Sequence, residues 1–262
     1  MRLQDVDVGG LRIASARAGE GPPLVLLHGG WGDHRHWRRQ LEGLSGDFTV
    51  VAWDAPGCGS SSDPPADWLM PDYADCLAGW LEAAGIERPH VVGLSWGGAL
   101  ALELYGRHPG VPASLVLAGA YAGWAGSLPP EVVKERLERV EAEIDCPVDE
   151  WAPAYLPSFF TGAAPPELAD ELLAVMQDVR PGGTRTMLRA MAECDLRDVL
   201  PRIDVPTLLV YGELDVRSPL PVAKALHASI PGSRLVVLPG VGHLANVERA
   251  DEFNAAVRDF LA

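Results

Sequence analysis

The sequence predicts an α/β fold, in which helices flank both faces of a mostly parallel sheet. Short, almost wholly apolar runs recur along residues 1–120, and segments of helical length and spacing separate them. Further apolar runs, "PTLLVYG" and "SRLVVLPG", resume this pattern after residue 200. A continuous apolar run is typical of a strand covered on both faces, and strands that alternate with helices favour parallel pairing.

The elements follow in order from the amino terminus. The segments "QDVDV" and "LRIASAR" alternate polar and apolar residues around Gly9 and Gly10, which predicts an antiparallel hairpin at a sheet edge. Buried strands are expected at "PPLVLLHGG", "FTVVAWD", "PHVVGLS" and "ASLVLAGA", with helices around 34–44, 71–84 and 96–107. Ser218 and Pro219 predict the N-cap and the first residue of a later helix, and a last helix is expected around 250–261.

Residues 121–200 show a different pattern, without strand signals. The stretches "EVVKERLERVEAEI" and "PPELADELLAVMQDV" carry apolar residues at helical spacing, an aromatic and proline-rich stretch lies between them, and a third helix is expected over 184–194. The predicted organisation is therefore a core domain formed by residues 1–120 and 201–262, with residues 121–200 inserted as a helical cap.

Composition excludes several classes of protein. Among the 262 residues, 36 acidic and 21 basic side chains give a net charge of −15, which argues against a nucleic-acid partner. No apolar run approaches the roughly 18 residues that span a membrane, and the first residues lack the pattern of a signal peptide, so we expect a cytoplasmic protein. The 4 cysteines are far apart, which predicts free thiols with neither disulfide nor metal ligation.

Ser95 occupies an unusual position, between the predicted strand "VVGL" and an almost wholly apolar helix. Residues 93–97, "GLSWG", fit the Gly-x-Ser-x-Gly pattern of a nucleophile elbow, in which a sharp turn requires glycines near the serine. The alternative is that Ser95 caps the following helix through its hydroxyl. The strand before it and the helix after it favour the elbow.

A nucleophilic serine needs a base and an acid that orients the base, and the elbow predicts the chain order serine, acid, histidine. Asp215 follows the run "TLLVYG" and His243 follows "RLVVLPG", so both lie beyond strand ends. Glu213, Asp195 and Asp198 are alternative acids. The remaining histidines are mostly expected at the surface or in a structural role: His28, His34, His36, His90, His108 and His227.

These residues carry a resemblance to a known family. The segments "HGGWGD", "DAPGCGSSS", "GLSWGG", "GELDVRSP" and "GVGHLANVE" occur in the order seen in serine hydrolases of the α/β-hydrolase fold, and the chain resembles the lid-bearing esterases, enol-lactonases and C–C hydrolases among them. The resemblance implies Ser95 as nucleophile, His243 as base and Asp215 as acid. It also implies an oxyanion hole formed by the backbone N–H groups of Gly30 and Trp96, a structural His28, and no metal or organic cofactor.

The resemblance further implies that residues 121–200 lie over the site as a lid. Aromatic and long apolar side chains near the site predict a largely apolar acyl or alcohol group, and the excess of acidic residues in the lid argues against highly anionic substrates. The candidate substrate-binding residues are Trp31, Trp124, Trp151, Tyr155, Phe159, Phe160 and Met191.

The predicted function is hydrolysis of a carboxylic ester or lactone of a small, largely apolar substrate through an acyl-enzyme. The same site could serve a C–C bond hydrolase, a thioesterase or acyltransferase, or a proline iminopeptidase-like peptidase. A different class remains open, a ligand-binding receptor that has kept the fold. The expected partner is a small-molecule substrate, with no nucleic acid and no membrane, and the protein is expected to be a monomer or homodimer.

Overall fold

The computed structural model describes residues 1–162 and 164–262, so Ala163, inside the predicted cap, lies outside the described residues. Its centre is an 8-stranded sheet with the order β1-β2-β4-β3-β5-β6-β7-β8. The strands are β1 Arg2–Val8, β2 Leu11–Ala18, β3 Pro23–Leu27, β4 Thr49–Trp53, β5 His90–Leu94, β6 Ser114–Ala118, β7 Thr207–Gly212 and β8 Arg234–Leu238.

The pairing confirms the predicted mostly parallel sheet. Strand β2 pairs antiparallel with β1 and β4, and every other pairing is parallel. Gly9 and Gly10, with φ angles of 59° and 87°, form the tight turn of the predicted edge hairpin. Strands β4, β6 and β7 are buried along their whole length, which explains their continuous apolar sequences.

Helices cover the sheet and also form the segment between β6 and β7. They are α1 Arg38–Gly43, α2 Met70–Ala83, α3 Trp96–Arg107, α4 Pro130–Glu143, α5 Val148–Trp151, α6 Leu156–Phe159, α7 Pro166–Met176, α8 Pro181–Glu193, α9 Leu220–Ser229, α10 Ala245–Glu248 and α11 Ala250–Leu261. Short 3₁₀ turns occupy His34–Trp37, Ala152–Tyr155 and Leu200–Arg202. No helix among the described residues has the length and apolar character needed to cross a bilayer.

All the regular secondary structure that is described between β6 and β7 is helical, as the sequence predicts. On α4, Val140 is buried and Val133 and Leu137 are half-buried. The aromatic and proline-rich stretch forms the 3₁₀ turn Ala152–Tyr155 and the short helix α6, and a proline stands in the first turn of each. Helix α8 also has a proline at its start, Pro181, and begins earlier than predicted.

The predicted cap of α9 is wrong. Pro219 is the N-cap residue, and no side chain accepts a capping hydrogen bond there. Ser218 is fully buried, its hydroxyl donates to the carbonyl of Ala120 at 2.8 Å, and its N–H donates to Oδ1 of Asp215 at 2.8 Å. Ser218 therefore connects the loop after β7 to the chain that follows β6. The spacing of residues in the sequence does not reveal this contact.

Candidate active site

Ser95 lies at a sharp turn between β5 and α3. Its φ of 54° and ψ of −110° fall outside the regions that a side chain favours, at a cost on the order of 1–3 kcal/mol. Its side chain makes no capping hydrogen bond, so the capping alternative is not what the structure shows. The N–H of Ser95 donates to the carbonyl of Ala118 at 2.8 Å, which fixes the turn to strand β6.

The glycines around Ser95 are required by close backbone approach. A Cβ atom on Gly93 would overlap the carbonyl group of Gly97, and one on Gly97 would overlap the carbonyl oxygen of Leu27. A Cβ atom on Gly98 would overlap Cβ of Ala120. The strand before the serine and the helix after it therefore meet at a distance that only glycine permits, as the elbow pattern predicts.

Asp215 and His243 lie in loops that follow β7 and β8, and both are buried. Nδ1 of His243 is 2.7 Å from Oδ2 of Asp215. The other carboxylate oxygen of Asp215 accepts the backbone N–H groups of Arg217 and Ser218, each at 2.8 Å. Asp215 is thus held by its own loop and presents one oxygen to the imidazole ring.

The alternative acids are engaged elsewhere. Glu213 is exposed and accepts the N–H of Gly240 at 2.9 Å. Asp195 pairs with Arg197 and Asp198 with Arg202, both at the surface. Among the candidates for the acid, Asp215 is the residue that contacts His243.

The loop that carries His243 is tied to the helical segment. The buried carboxylate of Glu248 accepts the N–H of Gly242 at 2.8 Å and the N–H of Thr161 at 3.2 Å, and it also accepts the Thr161 hydroxyl. The N–H of Leu244 donates to the carbonyl of Phe159 at 3.1 Å. Packing between residues 159–161 and this loop therefore helps to set the position of the imidazole ring.

Ser95 and His243 line one small cavity, here called the central cavity, with about 20 Å³ of free space. The predicted residues Gly30, Trp96, Trp31, Trp124, Phe159 and Met191 also line it. The backbone N–H groups of Gly30 and Trp96 find no acceptor among residues 1–162 and 164–262, so both donors are free for a ligand.

Two larger cavities flank the central cavity. The first has about 230 Å³ and shares His36 and Leu244 with the central cavity; it is called the apolar cavity because most of its lining residues, Phe160 among them, are apolar. Its charged lining residues are Arg35, Arg38, Arg39 and Glu171. The second, the arginine cavity, has about 250 Å³ and includes Tyr155. Trp151 lines none of the three; its ring centre lies 4.8 Å from that of Trp31, a residue of the cavity wall.

One of the histidines that were expected at the surface or in a structural role lies elsewhere. His28 is structural, since its Nδ1 is 2.8 Å from the carbonyl oxygen of Gly29 and its Nε2 accepts the N–H of Ala55 at 3.0 Å. His36, however, is not at the surface: it is 7 % exposed, and neither ring nitrogen has a hydrogen-bond partner within the described chain. Burial lowers the pKa of His36 to about 4, so the ring that reaches the central cavity is neutral.

Arg217 is the most prominent residue that the sequence analysis missed. It lines both the central cavity and the arginine cavity, and its guanidinium lies 4.5 Å from the ring centre of Phe159. Burial lowers the pKa of this guanidinium from its ordinary value, although arginine stays protonated at neutral pH. The one signal for Arg217 in the sequence was its position two residues after Asp215, because the loop that carries the acid also lines the cavity.

One cluster in the described part of the chain has side-chain spacing that could suit a metal. Atoms of Asp33, His34 and Asp54 all lie within 4.8 Å of one another. Arg35 holds the Asp33 carboxylate at 2.6 Å, and Asp54 accepts hydrogen bonds from His34 and Ser60. These hydrogen bonds account for the cluster as a structural element. The cysteines Cys58, Cys76, Cys146 and Cys194 are free thiols.

Comparisons with known proteins agree with this geometry. Residues 24–256 match the model of the alpha/beta hydrolase family. The chain is 32 % identical over 266 residues, which is 96 % of each protein, to a protein of Klebsiella pneumoniae (strain 342) named "Putative carbamate hydrolase RutD".

Solved structures give the same result. An esterase from Thermogutta terrifontis with malate bound has a TM-score of 0.90 at 27 % identity, covering 100 % of this chain and 98 % of its own. The enol-lactonase from Burkholderia xenovorans LB400 has a TM-score of 0.90 at 28 % identity, covering 98 % and 99 %. The protein is a hydrolase, and its chain belongs to the alpha/beta hydrolase family.

Proposed function

We propose that this protein is a serine hydrolase that cleaves a carboxylic ester or a lactone through an acyl-enzyme. The observation that carries the proposal is that Ser95 and His243 both line the central cavity, and that Nδ1 of His243 lies 2.7 Å from Oδ2 of Asp215. Esterase and enol-lactonase relatives of the same fold support this reaction class.

The proposed reaction gives one role to each of these groups. His243 takes the hydroxyl proton of Ser95 as Oγ bonds to the substrate carbonyl carbon, and Asp215 accepts the Nδ1 proton and stabilises the imidazolium. We propose that the N–H groups of Gly30 and Trp96, residues that line the same cavity, bind the oxygen anion that forms. The carbonyl re-forms and expels the alcohol, which takes the proton from His243. Water, activated by the same ring, then releases the acid and restores Ser95.

The cavity volumes indicate where the rest of the substrate would lie. About 20 Å³ of free space holds little more than a water-sized group, so the central cavity accommodates the reacting carbonyl alone. We propose that the acyl and alcohol groups extend into the apolar cavity and the arginine cavity. Residues 121–200 supply Trp124, Phe159 and Met191 to the wall, and we propose that they act as the lid.

The test is release of 4-nitrophenol from 4-nitrophenyl acetate, butyrate and octanoate by the wild type and Ser95→Ala. We expect Ser95→Ala to lose roughly 10⁴-fold or more in kcat, because the nucleophile is removed while the binding site stays. Circular dichroism should show an unchanged fold. Release by Ser95→Ala at a rate near that of the wild type contradicts the proposal.

A second candidate, carbamate hydrolysis, is favoured by the name of the Klebsiella relative. A carbamate presents a carbonyl carbon to the same nucleophile, so Ser95 and His243 would keep their roles. Ethanol release from ethyl carbamate and from ethyl butyrate separates the two, since both esters lose the same alcohol. A higher kcat/KM for ethyl carbamate would make the carbamate the better assignment.

A further inference from the structure

Arg217 brings a positive charge to the central cavity without a carboxylate to balance it. Its guanidinium makes one hydrogen bond to the described chain, from Nη1 to Oγ of Ser158 at 3.0 Å, and it forms no ion pair there. The nearest acid in sequence, Asp215, is committed to backbone N–H groups and to His243. Most of the N–H donors of Arg217 are therefore available to a ligand.

Neighbouring residues hold the backbone of Arg217 and contact its guanidinium. Its ring neighbour Phe159 lies 4.5 Å away, and the carbonyl oxygen of Arg217 accepts hydrogen bonds from Arg136 and from the hydroxyl of Tyr121. An unpaired charge that is partly removed from water is costly, and proteins usually pair it. A fixed guanidinium at a cavity wall is consistent with a partner that arrives with the substrate.

The arginine cavity has a charge opposite to that of the whole chain. Arg136, Arg139 and Arg217 line it, against the single carboxylate of Glu135. Arg139 is neutralised by Glu143 at 3.2 Å, which leaves Arg136 and Arg217 without acidic partners in the described chain. The net charge of −15 is a sum over the whole chain and does not describe this cavity.

We propose that Arg217 binds a carboxylate of the substrate, so that the enzyme selects esters or lactones that carry a free acid group. Arg217, Trp31, Trp124 and Leu188 line both the central cavity and the arginine cavity, which places the guanidinium at their junction. A group bound there is close to a carbonyl at Ser95. This inference rests on the proposed function and names its substrate class.

A carboxylate fits the site better than a phosphate. One guanidinium can bind a carboxylate through parallel N–H···O bonds and match its single charge. A phosphate dianion would need a second guanidinium with free donors. Arg136 adds its charge to the cavity, but its Nη1 and Nη2 already donate to Tyr121 and to the carbonyl of Arg217. The aromatic walls formed by Trp31 and Trp124 suit an apolar chain between the carboxylate and the reacting carbonyl.

The experiment compares matched esters by titration of the acid released. Monoethyl glutarate against ethyl pentanoate places the added carboxylate on the acyl side, and butyryloxyacetate against ethyl butyrate places it on the alcohol side. We expect kcat/KM for at least one carboxylate-bearing ester to exceed that of its neutral partner by about tenfold or more. Arg217→Gln should abolish this ratio, Arg217→Lys should keep part of it, and Arg197→Gln, which removes an exposed charge paired with Asp195, should leave it unchanged.

Binding of glutarate and pentanoate to Ser95→Ala, measured by calorimetry, gives a readout without turnover. If monoethyl glutarate is the preferred ester, glutarate should bind at least about tenfold more tightly than pentanoate, the matched monoacid, and Arg217→Gln should remove this difference. Equal ratios for wild type and Arg217→Gln in both ester pairs overturn the inference. Failure of the proposed function looks different: hydrolysis would continue in Ser95→Ala.

Discussion

Gly119 lies directly against the imidazole ring of His243. A Cβ atom on Gly119 would be 3.1 Å from Cε1 and Nδ1 of His243 and 3.3 Å from Oδ2 of Asp215. Its φ of 48° is also strained for any other residue. The first residue after β6 therefore shapes the space in which the acid and the base meet, although it has no side chain of its own.

Gly119→Val should reduce activity more than stability. The added side chain would push the imidazole ring away from its position, and a displacement of about 1 Å at such a site can cost about 10²-fold in rate. Steady-state hydrolysis of 4-nitrophenyl butyrate measures the effect, with thermal unfolding as the companion measurement. Gly85→Val is the control, because Gly85 also has positive φ, 66°, but has nothing within 4 Å. Equal losses of activity in the two variants would contradict this role.

Gly97→Ala should destabilise the fold. Its Cβ would overlap the backbone of Leu27 and His28, and backbone atoms in a packed sheet cannot move aside cheaply. We expect the free energy of unfolding to fall by about 2 kcal/mol or more in urea titrations. Gly110→Ala, where the new methyl group meets nothing within 4 Å, should change it by less than about 0.5 kcal/mol. A small loss at Gly97 would mean that the elbow can relax.

Glu248→Ala should lower both stability and turnover, because this carboxylate joins the loop of His243 to Thr161. Loss of a buried acceptor leaves the N–H groups of Gly242 and Thr161 without partners, at about 1–3 kcal/mol. Glu213→Ala is a matched control, since Glu213 accepts the N–H of Gly240 in the same loop but at the surface. A melting temperature and kcat that fall equally in both variants would show that Glu248 has no special part in positioning the base.

His36 should make the stability of the protein depend on pH. Its pKa in the folded protein is about 4, below the ordinary value of 6.5, so below pH 6.5 the unfolded chain takes up a proton that the folded protein does not. The contribution of His36 to the free energy of unfolding is therefore fully present above pH 6.5 and is lost as the pH falls towards 4. Between pH 7.5 and pH 5 the wild type should lose about 2 kcal/mol relative to His36→Gln. A gap between the two proteins that stays constant with pH would show that His36 does not titrate in this way.

The strands, the main helices and the order of the candidate site residues could be predicted from the sequence because they depend on local patterns. Continuous apolar runs identify β4, β6 and β7, which are buried on both faces, and paired glycines identify the hairpin turn. The glycines around Ser95 mark the elbow, because only a residue without a side chain fits there. Strand ends place Asp215 and His243 at the same edge of the sheet.

Contacts between distant segments could not be predicted, since no local pattern encodes them. The hydroxyl of Ser218 donates to the carbonyl oxygen of Ala120 at 2.8 Å. The serine before α9 makes this contact and does not cap the helix. His36 is buried where the turn His34–Trp37 packs against α7 and α10.

The sequence by itself determined the sheet, the elbow and the residues expected to react, because each of these follows from short-range spacing and backbone geometry. Only the tertiary structure decided which side chains line the cavities and what charge they carry. It brought Arg217, from the loop after β7, beside Phe159 of α6, at a distance of 4.5 Å. A net charge summed along the chain cannot show this, because the field inside a cavity depends on the few groups that face it.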